Sequence, residues 1–264
     1  MNARILLAPL VAAGALALFA GHAEAGSAPK GAAKATFIKG EVTAGVSADG
    51  KAEPTFARVK RGQELVPGSV LKTGEGSRAE ITFADGSVVR VGPAAQLKLD
   101  GATFDGKTKE VKVDATLVAG QAWAKVSKLV GDESKFQVKT QNAVAGVRGT
   151  VFRVNVERDE ATVVRVYNGA VAVAAPLLTG AEEPEVTGPI DPNRKPIAKP
   201  FTEVSKKEFE HVLGKMMQIR IGKGGTVAAA TPTAFTEEED AKAEPEWVRW
   251  NAARDAGKDT EKSD

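Results

Sequence analysis

Between residues 36 and 175 the chain alternates apolar and polar positions in short runs broken by glycine turns, and almost no stretch carries the 3.6-residue spacing of a helix. That pattern confines the segment to an all-β fold. Residues 78–84 are representative: Ala79, Ile81 and Phe83 share one face, while Arg78, Glu80 and Thr82 share the other. A strand of this kind is predicted to have one buried and one wet side. Asp85-Gly86 follows at once and predicts a two-residue type I′ turn into residues 87–91. Asn168-Gly169 predicts the same turn between residues 162–167 and 170–174. Val111, Val113, Ala115 and Leu117 alternate in the same way, as do Thr150, Phe152, Val154 and Val156. About a dozen short strands are expected, a count that suits a sandwich, a barrel or a solenoid. Leu71-Lys72-Thr73 and Val138-Lys139-Thr140 each precede a glycine-containing stretch and a strand pair. Two related halves are therefore expected, in one closed or twisted unit rather than a long array.

The first 25 residues read as an export signal. A basic start at Met1 to Arg4 precedes an apolar run over residues 5–21, and Ala23-Glu24-Ala25 supplies small residues for cleavage before Gly26. The run contains Pro9 and Gly14 and is short for a membrane span. The mature chain is expected to be soluble and periplasmic or secreted, with no stable membrane insertion. There is no cysteine, which excludes disulfides, a thiol nucleophile and a lipid-modified amino-terminal Cys. Removal of residues 1–25 also removes His22 and leaves His211 alone. A histidine-based metal site or a Ser-His-Asp triad is hard to build from that inventory, so no enzyme activity, cofactor or metal is expected. With 36 basic and 34 acidic residues the chain has no polyanion-binding balance, and no nucleic-acid partner is expected.

Composition divides the remainder. Residues 26–35 are expected to be a flexible amino terminus and residues 36–175 a β domain. Residues 176–200 hold six prolines and read as a linker. Residues 201–264 read as an extension with one or two short helices and a charged, partly disordered tail. Phe209, Val212, Leu213, Met216 and Met217 have roughly helical spacing after a Ser205 cap and predict a helix within residues 202–221. Residues 222–246 read as loop, and Trp247 and Trp250 open a short terminal helix. Residues 26–175 hold 22 basic and 16 acidic side chains, whereas residues 201–264 hold 10 and 13. That asymmetry favours contact between tail and β domain if Trp247 and Trp250 add apolar area, because screening weakens charge alone.

One set of motifs carries more information. Residues 62–74 read G-Q-E-L-V-P-G-S-V-L-K-T-G, then come the A-E-I-T-F-A-D-G-S hairpin at 79–87 and V-R-V-G-P-A-A-Q-L-K-L at 89–99. They are followed by L-V-A-G-Q-A-W at 117–123, N-A-V-A-G-V-R-G-T at 142–150 and V-R-V-Y-N-G-A-V-A-V at 164–173. In this order the segments resemble the FecR domain, over about 140 residues from Thr36 to Ala175 and over no part of the carboxyl-terminal third. The resemblance implies a twisted β-sandwich or short solenoid-like unit, here with a small α-containing extension. It also implies an extracytoplasmic domain of the kind that relays receptor occupancy to a sigma factor in iron-siderophore signalling. Such regulators carry a cytoplasmic anti-sigma segment and a membrane helix ahead of the domain. This chain has a predicted signal peptide there, so direct anti-sigma activity is not expected.

The motif residues Gly146, Val147, Arg148, Gly149 and Thr150, with Asp85, Gly86, Asn168 and Gly169, read as structural. Arg148 is expected to pin its glycine-flanked turn by hydrogen bonds to carbonyls, the alternative being a partner's carboxylate. Trp123 is expected either to fill the core, with Ala122 and Ala124 facing outward, or to stand exposed as a contact; Trp247 and Trp250 join it as candidate interaction residues. His211, beside Glu208 and Glu210, reads as part of a solvated helix face. The function these features point to is a protein-interaction or signalling module that binds another cell-envelope protein. The alternative is a structural protein holding polysaccharide or peptidoglycan.

Overall fold

A computed structural model describes residues 33–46, 54–176, 211–259 and 261–264. The predicted signal peptide and most of the expected flexible start and Pro-rich linker lie outside these residues. Seventeen strands form one hydrogen-bonded network that folds over itself into two sheets. Sheet A runs β4 (Glu64–Leu65), β1 (Ala33–Lys39), β6 (Arg78–Phe83), β7 (Val88–Val91), the second part of β9 (Val111–Lys125), β12 (Val151–Val156), β13 (Thr162–Asn168), β16 (Met217–Ile221) and β17 (Thr233–Ala234). Sheet B runs β3 (Ala57–Arg58), β2 (Val42–Val46), β5 (Ser69–Thr73), β8 (Gln96–Phe104), the first part of β9, β10 (Lys135–Lys139), β11 (Val144–Val147), β14 (Val171–Ala174) and β15 (His211–Leu213). Every pairing is antiparallel except β9 with β10.

β9 belongs to both sheets, and the bend between its parts is Gly120. Its φ is +78°, and a Cβ there would lie 2.5 Å from the Ala95 Cβ, so only glycine fits. The inward face of each strand fills a single apolar interior. Ala79, Ile81, Val89, Val91, Ala122, Ala124, Phe152 and Val154 enter it from sheet A; Leu71, Leu97, Val113, Phe136 and Val138 enter from sheet B. Phe83 and Phe136 meet edge to face across the layers with centroids 5.5 Å apart. The fold is thus an all-β sandwich; the inward positions of β6, of the first part of β9 and of β12 are those predicted by period-two reading, whereas Ala122 and Ala124 were expected outward.

The two halves share a path. β5 leaves sheet B for the β6–β7 hairpin of sheet A, and β8 returns beside β5; β11, β12, β13 and β14 do the same. The sequence echo paired residues 71–73 with 138–140, on β5 and β10, whereas the topological match places β11 opposite β5.

Both expected type I′ turns are corrected. At Asp85-Gly86 only Gly86 has positive φ; Gly86 N–H donates to Phe83 O and Phe83 N–H to Ser87 O, which makes a three-residue loop with a bulge at the glycine. Asn168-Gly169 is not a hairpin turn, because β13 pairs in sheet A and β14 in sheet B. It is a corner.

The carboxyl-terminal region differs most from expectation. Instead of a helix within residues 202–221, the described part forms β15 and β16, which pair with β14 and β13. Leu213, Ile219 and Ile221 point into the core, and Met216 at φ +62° turns the chain between the strands. Ser205 and Phe209 lie outside the described residues. The expected loop over residues 222–246 contains helix α1 (Glu237–Ala243), capped by Thr236, which accepts from the Glu239 N–H while the Glu239 side chain accepts from the Thr236 N–H. Helix α2 (Pro245–Asp255) follows as expected around Trp247 and Trp250. The final residues return to β1, where Ser263 and Asp264 bond to both the N–H and the carbonyl of Ile38. β1 itself starts at Ala33, three residues before the expected boundary.

Candidate functional site

The outward face of sheet A is not wet. Register aligns Phe37, Glu80, Arg90, Trp123, Arg153, Arg165 and Gln218 in one row across seven strands. Their sequence neighbours point inward, except Thr36 at the bulge before Phe37, so the row faces away from the core. α1, α2 and the tail cover it. A second aromatic cluster fills the gap: Phe37, Trp123 and Tyr167 from the sheet with Phe235, Trp247 and Trp250 from the cover. Trp123 stacks on Tyr167 at 4.2 Å and 29°, and Tyr167 meets Phe235 edge to face at 5.4 Å.

Charge complementarity holds the cover down. Asp255 Oδ1 accepts from Arg90 Nη1 at 2.7 Å and its Oδ2 from Trp123 Nε1 at 2.9 Å. Asp240 accepts from Arg153 Nη2 at 2.5 Å and from the Tyr167 hydroxyl, with Arg165 Nε 3.5 Å away. Glu80 accepts from Arg90 at 2.7 Å and from Arg254 of α2 at 2.9 and 3.1 Å. Burial alone raises the Glu80 pKa, but the bonds from Arg254 and Arg90 outweigh it and hold the carboxyl below its ordinary value. Burial, then the Asp240 contact, pushes the Tyr167 phenol well above its ordinary value, so it stays a donor. Burial and the neighbouring Arg153 charge lower Arg165. The Arg254 guanidinium lies 4.5 Å from the Phe37 ring centroid, and that of Arg78 4.6 Å from Trp250.

Trp123, Trp247 and Trp250 are therefore 3%, 4% and 7% exposed, each engaged within the chain. Ala122 and Ala124 face the core and Trp123 faces the cover, the reverse of the core-filling arrangement expected for Trp123. The register row was invisible in the sequence because it joins seven strands. One signal was legible: Thr236-x-x-Glu239 is a capping box, and it locates α1.

The G-V-R-G-T motif builds a corner between sheets. Gly146 and Val147 end β11, Gly149 turns at φ +66°, and Thr150 Oγ1 donates to Ala170 O at 2.9 Å as the chain enters β12. Arg148 Nη2 donates to the carbonyls of Gly131, Asp132 and Ser134 at 3.2–3.5 Å. The Asn168-Gly169 corner lies against it: a Cβ on Gly169 would sit 2.8 Å from Gly149 O. Near Asp85-Gly86, Ser87 Oγ donates to Asp85 and accepts from Ser127 N–H. His211 sits on β15, and its Nε2 is 2.9 Å from Val227 O. Among the described residues no cluster of three or more His, Asp or Glu is placed to hold a metal, and no helix is long and apolar enough to cross a membrane. A shallow groove of about 340 Å³ on sheet B includes Lys135, Gln137, Gly146, Arg148, Ala172 and Val212 in its lining.

No curated protein matches the chain. Two crystal structures of a proposed anti-sigma factor from Parabacteroides distasonis ATCC 8503, at 1.65 and 2.50 Å resolution, are similar at 19% and 18% identity with TM-scores of 0.40 and 0.41. Each match covers 62% of this chain, which spans 59% of the length of those chains. The family described as FecR protein matches residues 69–172, from the start of β5 into β14, and so includes both stacked corners. The similarity to the FecR family is thus carried by residues 69–172, about two-fifths of the chain.

Proposed function

We propose that this chain is a non-catalytic protein-interaction or signalling module of the bacterial cell envelope, exported through residues 1–25 and without direct anti-sigma activity. The FecR domain supports the signalling class. The observation that carries the reading is where the chemistry-bearing side chains sit: Arg90, Arg153, Glu80, Asp240 and Asp255 bind one another across a cover, and His211 bonds to a carbonyl. Among the described residues these groups are engaged with one another or with a carbonyl, which supports a binding module over a nucleophile-base pair. A polysaccharide-binding reading would use exposed aromatics together with the positive charge of the β domain, and burial of Trp123, Trp247 and Trp250 removes the first of these supports.

Two measurements test the proposal. Intact mass of the exported protein is expected to begin at Gly26, and retention of residues 1–25 would refute export by cleavage. In-cell crosslinking of the full chain is expected to trap a defined envelope protein. If only cell-wall polymer is recovered, or nothing, the module reading fails.

A further inference from the structure

We propose that the outward face of sheet A is the docking surface of this module, and that residues 236–264 occupy it as a built-in stand-in for an acidic, aromatic-bearing helix of a partner protein. This rests on the interaction-module reading and adds the surface and the partner chemistry.

Charge complementarity is the first support. Residues 236–264 contain ten acidic and five basic side chains, and the face they cover presents Arg78, Arg90, Arg153 and Arg165. Both carboxylates that anchor the helices, Asp240 and Asp255, land on that row, and α2 adds two tryptophans beside them. The face thus already holds a helix of this class in cis.

The second support is a deficit of acceptors. Arg153 is 1% exposed, yet among the described residues its Nε and Nη1 find no acceptor; nor do Arg78 Nε, Trp247 Nε1 and Trp250 Nε1. All five buried atoms are donors, and all lie between sheet A and its cover. Two acceptors on the same face without partners, Gln121 Oε1 and Asn155 Oδ1, sit one row away, paired across β9 and β12. Buried donors without acceptors weaken an interface, whereas the apolar core beneath has no comparable defect among its side chains. A helix richer in carboxylates meets Arg153 and Arg78 better than the cover does. A second copy's own residues 236–264 bring the same groups and leave the same donors unmet, which favours a different protein as occupant.

The cover also has the construction of a releasable element. α1 and α2 meet at Glu244, a one-residue joint at φ −133° and ψ 63°, and the far end is tied by Asp264 to Lys39 and the Gly40 N–H at the surface, by Ser263 and Asp264 to the Ile38 backbone and by Glu261 to Arg78.

The absence of cysteine makes the test direct. In the full chain, Lys39→Cys with Asp264→Cys allows a short bis-maleimide to clamp the cover shut, and Asp240→Asn with Asp255→Asn loosens it. The probe is a fluorescent peptide with the sequence of residues 236–259, read by anisotropy. Binding to the loosened chain at least tenfold tighter than to the clamped chain supports the proposal, provided a peptide with lysine at positions 240 and 255 does not bind. Equal binding to clamped and loosened protein, or none to either, overturns it. A dimer of the loosened chain in light scattering assigns the face to residues 236–264 of a second copy and also overturns it. If the Asn variants fail to fold, the unclamped cysteine pair serves as the open form. Peptide binding needs no envelope partner, so failure here removes the face alone, whereas failed trapping in cells removes the module reading.

Discussion

The two buried layers of this molecule are built from opposite materials. Between the sheets, Val, Ala, Leu and Phe close on one another, and Phe83 and Phe136 mark the centre. Between sheet A and its helical cover, arginines, carboxylates and indoles do so. Apolar contact is tolerant of small shifts and needs no partner atom. A buried ion pair is stable only with both members in place, and losing one leaves an uncompensated charge. The inner layer should therefore determine whether the chain folds, and the outer layer whether the cover stays on.

The largest expected effect is in the inner layer. Phe136→Ala removes a fully buried ring and should cost about 3–5 kcal/mol by the cavity it leaves. Urea unfolding followed by β-sheet circular dichroism should show a single, earlier transition. If Phe136→Ala instead released the cover while the sheets held, the division of labour between the layers would be reversed.

Next is the outer layer. Asp240→Asn leaves Arg153 and Arg165 without a carboxylate and should cost about 3 kcal/mol, concentrated in the cover. Hydrogen exchange should accelerate in α1 and α2 with little change in β6 and β12. Uniform acceleration would mean that the two layers unfold as one unit. Arg148→Ala lies in neither layer and removes hydrogen bonds to three carbonyls at a corner. A loss of about 1 kcal/mol in thermal unfolding, with cover exchange unaltered, is expected.

Legibility in the sequence followed the same division. Ala79, Ile81 and Phe83 were readable as core because period-two alternation needs only local sequence. Glu80, on the other face, was read as wet, since a polar residue in a strand signals only that it is not in the first core. Its partner Arg254 lies 174 residues away. The spacing of Val212, Leu213, Met216 and Met217 fits a helix, yet the same residues straddle a turn between β15 and β16, whose inward positions are filled by long-range pairing. Asn168-Gly169 announced positive φ at the glycine but not that the next strand joins the other sheet. Of the candidate surface, Trp123, Trp247 and Trp250 were named from sequence; Arg90 and Arg153 were missed because nothing local distinguishes them from other arginines on alternating strands.

The gentlest perturbation is acid, which changes no residue and acts on the outer layer first. The Glu80 carboxyl is held below its ordinary value of 4.5 by Arg254 and Arg90 against the effect of burial. A carboxyl lowered in the folded state binds its proton less readily there than in the unfolded chain. Its contribution is therefore complete above about 4.5 and is lost as the pH falls through the lower folded value. For one group the slope is at most about 1.4 kcal/mol per pH unit. Exchange in α2, corrected for intrinsic rate, is expected to lose protection below pH 4.5 before the strands around Phe136 do. Glu80→Gln is expected to flatten that dependence by one proton. Should the variant keep the full acid response, the other carboxylates of the cover, and not Glu80, govern its release; should core and cover lose protection together, the two layers are one cooperative unit despite their different materials.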